Sequence, residues 1–228
     1  MNTASTMDTS GGIDAHHRIN TAAMTPWSRL RHLLLGWGGV GLVYFSTGFL
    51  GRPATVLPEL ALDRLIPYNP AGIWLYLSFF ILIPYTYASV APRRVRWLSR
   101  AMPLCAALSG VVFLLFPTTL NYPPLAAGGA DAQLLQLLLA SDSSSNCLPS
   151  LHGALTVLCV WALCEPGRPL RAALALLLGL AICYSIIQLR RHLSIDLGAG
   201  VLAGLLCGAL LKLRAPAPAP LFNRETPP

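Results

Sequence analysis

Arg190-Arg191-His192-Leu193-Ser194-Ile195-Asp196 stands at the head of an apolar stretch, 196–213, close to membrane-spanning length. A spanning helix needs about 20 mainly apolar residues. A second polar run, Asn146-Cys147-Leu148-Pro149-Ser150-Leu151-His152, leads into the apolar stretch 151–166. Working outward, further apolar segments fall at 33–50, 71–90, 99–116 and 169–188. The pattern predicts an all-α integral membrane protein built as a bundle of six transmembrane helices. Segment 132–140 is apolar but too short to cross, and is expected to lie along the interface as a short helix.

Composition agrees. The chain has 228 residues, 54% hydrophobic and 11% charged, with a mean hydropathy of +0.59. Soluble domains are usually about 25% charged. The formal charge of +7 does not sit in one surface run, so nucleic acid is not expected as a partner. The basic residues cluster between apolar segments, as membrane orientation requires. The six cysteines show neither a disulfide framework nor metal-ligand spacing. Residues 1–30 lack a cleavable signal and read as a disordered cytosolic tail. Residues 31–213 form the membrane domain. Residues 214–228 are a Pro/Ala-rich disordered tail.

With six spans, Arg18, Arg29, Arg31, Arg93, Arg94, Arg96, Arg100, Arg168, Arg171, Lys212, Arg214 and Arg224 fall on one side. Arg52, Arg64, Arg190 and Arg191 fall on the other. The positive-inside rule then places both termini in the cytoplasm, and 117–150 and 189–195 outside. Both polar runs meet on that outer face. The expected location is a plasma (inner) membrane.

The runs carry chemistry. His192 and Asp196, spaced i, i+4, share one helical face. A carboxylate beside an imidazole fixes its tautomer and leaves the other nitrogen free to attack. Arg190 and Arg191 break the orientation bias, and guanidinium suits phosphate. Pro149 and Ser150 read as a helix start, whose free amides can hold an anion. His152, in the first turn, is placed to act as a general acid. Together these are the parts for phosphoryl transfer through a phosphohistidine.

Asn146 to His152 resembles the Pro-Ser-x-His motif of the type 2 phosphatidic acid phosphatase superfamily. Ser185, His192 and Asp196 resemble its third motif, Ser-Arg-x5-His-x3-Asp. The Asn-x-x-Pro-Ser-Leu-His form and Asp63-Arg64-Leu65-Ile66-Pro67-Tyr68-Asn69-Pro70 are similar to the branch containing inositol phosphotransferases and inositol phosphorylceramide synthase. The resemblance implies His192 as nucleophile, Asp196 as its orienter, His152 as acid, and Ser150 with nearby amides as phosphate holders, without metal or cofactor. It implies a phospholipid or other lipid phosphate substrate, hydrolysed or transferred to an alcohol such as a polyol. Ile186 replaces the usual motif Arg, so Arg190 or Arg191 is expected to carry that charge. The family's Lys-x6-Arg-Pro motif is missing, and Tyr122-Pro123 stands in its place. Tyr122 and Asn121 are then expected as uncharged donors, or the substrate is expected to be a less charged phosphodiester, with Asn146 also in the substrate site. The alternative from another class is a non-catalytic lipid-binding or transport protein with a degenerate site.

Other features read as structural. Asp63 and Arg64 are expected to pair with charges at the interface. Tyr85 is expected to pack within the second span. Gly198, Gly200, Gly204 and Gly208 form a small-residue face for close helix packing. Trp27, Trp37, Trp74, Trp97 and Tyr68 read as interface anchors.

Overall fold

Pro26 opens the first helix, α1 (Pro26–Leu33), with Thr25 as its cap accepting from the Ser28 amide at 3.2 Å. This computed structural model describes residues 24–48, 53–124 and 128–213. Residues 1–23 of the tail expected over 1–30, and the whole tail expected over 214–228, therefore lie outside the described residues. The tail expected to reach residue 30 is already helical from Pro26. Past α1 the helix continues through a π-helical turn, Leu34–Gly38, into α2 (Gly39–Gly48). Gly36 in that turn lies so close to Tyr87 that a Cβ would stand 2.0 Å from its hydroxyl.

The remaining elements are β1 (Thr55–Val56), α3 (Ala61–Leu65), a 3₁₀ turn Pro70–Gly72, α4 (Ile73–Ser89), α5 (Pro92–Leu115), β2 (Thr118–Thr119), α6 (Ala130–Ser141), α7 (Leu151–Leu163), α8 (Pro169–Gln188) and α9 (Ser194–Leu213). Among the described residues four helices are long and apolar enough to cross a membrane: Pro70–Ser89, Pro92–Leu115, Pro169–Gln188 and Ser194–Lys212. Leu174, Leu177, Leu180, Leu202 and Leu206 stand exposed on α8 and α9. Such apolar surface suits lipid rather than water, so the chain is built as a membrane protein. The short apolar segment expected at 132–140 is α6, pinned by the Trp74 indole N–H donating to Asp131 at 2.6 Å.

The bundle has two distinct ends. At one, Arg171 donates to the Ser89 carbonyl at 3.3 Å and Arg29 donates to the carbonyls of Tyr87 and Val90. Glu165 there accepts from Arg171 at 2.7 Å and from the Ala91 amide at 2.8 Å, with Arg94 at 3.7 Å. The other end begins where the Asn69 amide donates to the Gln188 carbonyl. The 17 residues of α4 separate the ends by about 26 Å. At the second end three loops are laced together. β1 pairs in parallel with β2, Thr118 bridges to Asn146, and the Leu148 amide donates to Thr118 Oγ1 at 2.8 Å.

The tightest contact joins α7 to α9. A Cβ on Gly200 would stand 2.0 Å from the Ser150 carbonyl oxygen, and one on Gly204 2.6 Å from that of Ala154. A Cβ on Gly208 would meet Trp161 at 2.7 Å, whereas on Gly198 it meets nothing within 4 Å. The expected small-residue face is thus real for three of its four glycines. Gly200→Ala is expected to lower stability by about 2 kcal/mol or more through overpacking. Gly198→Ala is expected to be neutral or slightly stabilising, since alanine favours helix. Equal thermal unfolding of the two variants in detergent would refute the contact.

Candidate active site

Asp196 organises the start of α9. It is fully buried, and its Oδ2 accepts from His192 Nδ1 at 2.5 Å while its Oδ1 accepts from the Leu193 amide at 2.6 Å. His192 lies just before the helix, so the pair forms through a capping geometry rather than along a helical face. Asp63 completes this start. It accepts from the Ser194 amide at 2.6 Å, from the Ser194 hydroxyl at 3.0 Å and from the Leu60 amide at 2.8 Å. Asp63 was expected to pair with charges; its partners are instead the unpaired donors of a helix start, which a carboxylate satisfies well.

His152 comes in from α7. Its Nδ1 lies 3.3 Å from His192 Nε2, and its Nε2 lies 2.6 Å from the Tyr76 hydroxyl. The donors can be assigned in sequence. Ionised Asp196 only accepts, so His192 carries its proton on Nδ1. With the His192 proton on Nδ1, its Nε2 can accept from His152 Nδ1–H, and His152 Nε2 from Tyr76 O–H. The line Tyr76–His152–His192–Asp196 then runs in one direction, with the His192 Nε2 lone pair turned toward His152 Nδ1. Phe79 packs against the His152 ring at 4.9 Å between centroids, the planes inclined at 53°.

Arg191 approaches from the α8–α9 turn. Its guanidinium donates to Asp142 Oδ2 at 2.6 Å and lies 5.0 Å above the Tyr122 ring. The Tyr44 hydroxyl donates to Asp142 Oδ1. Burial works to raise the Asp142 carboxyl, but Arg191, with His152 and the Tyr44 hydroxyl, outweighs it and holds the carboxyl below its ordinary 3.8. The pair therefore contributes fully above that value and is lost only as pH falls through the lower folded value. Burial pushes the nearby Cys147 thiol up to about 11, so it stays a thiol.

The other expected site residues are engaged within the protein. Arg190, at φ 52°, donates to the carbonyls of Asp63, Ile66 and Ile187 and stands 3.8 Å from Glu59. It lines a separate polar cleft with Glu59, Arg64 and Asn121. Asn146 is buried and its amide donates to the Tyr44 carbonyl and to Thr47 Oγ1. Ser150 caps α7, its Oγ accepting from the Gly153 amide at 3.2 Å. Tyr122 offers Arg191 its ring, while its hydroxyl lies 3.4 Å from Cys147 Sγ and donates weakly to the Ser144 carbonyl.

Sequence reasoning passed over Tyr76, Asp142 and Tyr44. Asp142 had a signal, being the acid in the polar loop that precedes Asn146. Tyr76 had a weaker one. It shares the buried face of α4 with Ile73, Phe79, Ile83 and Tyr87, whereas Tyr85 is half exposed on the opposite face. An apolar cavity of about 440 Å³ reaches the site, lined by Trp37, Tyr44, Phe45, Phe80, Asp142 and His152 among others. Comparison with protein-family models, with curated proteins and with solved structures finds no match for this chain.

Tyr76→Phe strips a buried acceptor of its donor and is expected to destabilise by about 1–3 kcal/mol. Tyr85→Phe is expected to stay within about 0.5 kcal/mol. Denaturant unfolding in detergent compares them, and equal effects would refute the buried hydrogen bond.

Proposed function

We propose that the chain is a membrane-bound lipid phosphate phosphatase or phosphotransferase working through a phosphohistidine on His192. The observation that carries this reading is the hydrogen-bonded line from Tyr76 through His152 and His192 to Asp196. His192 Nε2 attacks phosphorus, and the bond to the lipid oxygen breaks. His152 acts as the imidazolium, giving its Nδ1 proton to the departing oxygen while its Nε2–H turns to the Tyr76 oxygen. Asp196 stabilises the positive charge that develops on His192. Water or an acceptor alcohol then attacks phosphorus, its proton passes to His152 Nδ1, and the N–P bond breaks. Hydrolysis and transfer differ only in which hydroxyl arrives. The likeness to type 2 phosphatidic acid phosphatases supports these roles, with no metal or cofactor. The apolar cavity beside His152 suits the chain of a lipid substrate.

The same proposal takes six spans, adding the continuous helix from Pro26 to Gly48 and the shorter α7 to the four long helices. Both termini then lie in the cytoplasm of a plasma (inner) membrane, with the site on the outer face. The support is that Arg29, Arg94 and Arg171 gather at the bundle end opposite His152 and His192.

The test uses the purified full chain with lipid phosphates and chelated divalent metal. Turnover is expected to pass through an acid-labile, alkali-stable phosphoprotein. His192→Ala is expected to abolish both, and His152→Ala to slow turnover by about 10²–10⁴-fold. Turnover that survives His192→Ala would refute the mechanism.

A further inference from the structure

Arg191, which lines a cavity together with Asp142, is already matched with that anion. Arg191 is only 6% exposed and its NH2 group donates to Asp142 Oδ2 at 2.6 Å. Its Nε is buried with no hydrogen-bond partner, so one donor of the fork remains open beside the carboxylate. Asp142 is held from the far side by the Tyr44 hydroxyl and lies against the amide of Ser143 at 3.0 Å. It is anchored, and is not free to swing away when a ligand arrives.

Its position also matters. Asp142 lines the apolar cavity of about 440 Å³ that holds His152, and a second cavity of about 250 Å³ lined by Arg191 and Tyr122. A ligand reaching His152 through the first cavity, or Arg191 through the second, meets this carboxylate. Arg191 is the cation bonded to it, and the chain between Arg100 and Arg168, which carries the Asp142 loop, adds no Lys or Arg of its own. Asp196 is already committed to His192. Attraction to Arg191 and repulsion from Asp142 both double for a doubly charged phosphate, so the carboxylate cancels the advantage that the guanidinium alone would give the dianion.

We propose that Asp142 is a specificity-determining residue that biases the phosphate site toward singly charged phosphate esters and against doubly charged ones. This rests on the reading of Arg191 as a phosphate contact. The site then differs from a cation-rich clamp, in which guanidinium and ammonium groups outnumber the acids and favour the dianion.

The experiment measures anion binding to the detergent-solubilised full chain by calorimetry. The probes are inorganic phosphate and dimethyl phosphate at a pH of about 8, where the first is mostly doubly charged and the second singly charged. The wild type is expected to prefer dimethyl phosphate. Asp142→Asn is expected to tighten inorganic phosphate by about tenfold and dimethyl phosphate by no more than about threefold. Asp142→Ser serves if the Asn variant does not fold, and the wild-type preference stands as its own test. A wild type that prefers inorganic phosphate, binds neither anion, or keeps its ratio in a folded Asp142 variant overturns the proposal. The readout needs no turnover. Chemistry indifferent to His192→Ala removes the enzymatic reading alone, while an unchanged anion ratio removes this one alone.

Discussion

The backbone contact between the start of α7 and the first turns of α9 is what the rest of the site depends on. The Ser150 amide donates to the Asp196 carbonyl at 2.9 Å, and Gly200 lies where no side chain could fit against the Ser150 carbonyl. That contact sets the register of two helices far apart in sequence. It brings His152, two residues after Ser150, beside His192, four residues before Asp196. In a bilayer, helix association draws on close packing rather than on a hydrophobic drive, so glycine is effective there.

Three carboxylates, Asp63 and Asp196 buried and Asp142 largely so, then arrange the polar end of the bundle, each with a different set of donors. Asp196 holds His192 and the Leu193 amide. Asp63 holds the Ser194 amide and hydroxyl together with the Leu60 amide. Asp142 holds Arg191 and the Tyr44 hydroxyl. Burial of a charge is unfavourable unless it is paired and hydrogen-bonded, and all three are. In a chain this poor in charge, each of these acids therefore marks a junction, a helix start or a loop clasp. Arg190 completes the set by tying the Asp63 loop to the end of α8, at the expense of a left-handed backbone conformation that a side chain disfavours.

The sequence carried much of this openly. Apolar runs of spanning length announced helices, and the paired histidine runs announced a polar site at their ends. The Gly200, Gly204 and Gly208 spacing announced a close helix contact. Local pattern was enough for these because each depends on neighbours within a few turns. The partners of His152 and Arg191 were not legible in the same way. Tyr76 and Tyr85 look alike as tyrosines within one apolar segment. Only the rotation of α4 decides that Tyr76 turns to His152 and Tyr85 turns outward. Arg190 and Arg191 are adjacent, and the turn after α8 sends one to carbonyls of the Asp63 loop and the other to Asp142.

By itself, then, the sequence determined that this is an apolar helical chain with two imidazoles and a carboxylate gathered where helices begin. Those features follow from hydrophobic period, capping chemistry and the scarcity of charge. Tertiary structure alone decided which groups meet. It chose Tyr76 over Tyr85, gave Arg191 to Asp142, and spent Arg190, Asn146 and the Ser150 hydroxyl oxygen on the scaffold. The physical reason is that hydrogen bonds between distant residues depend on helix rotation and register, which are set by packing across the whole bundle.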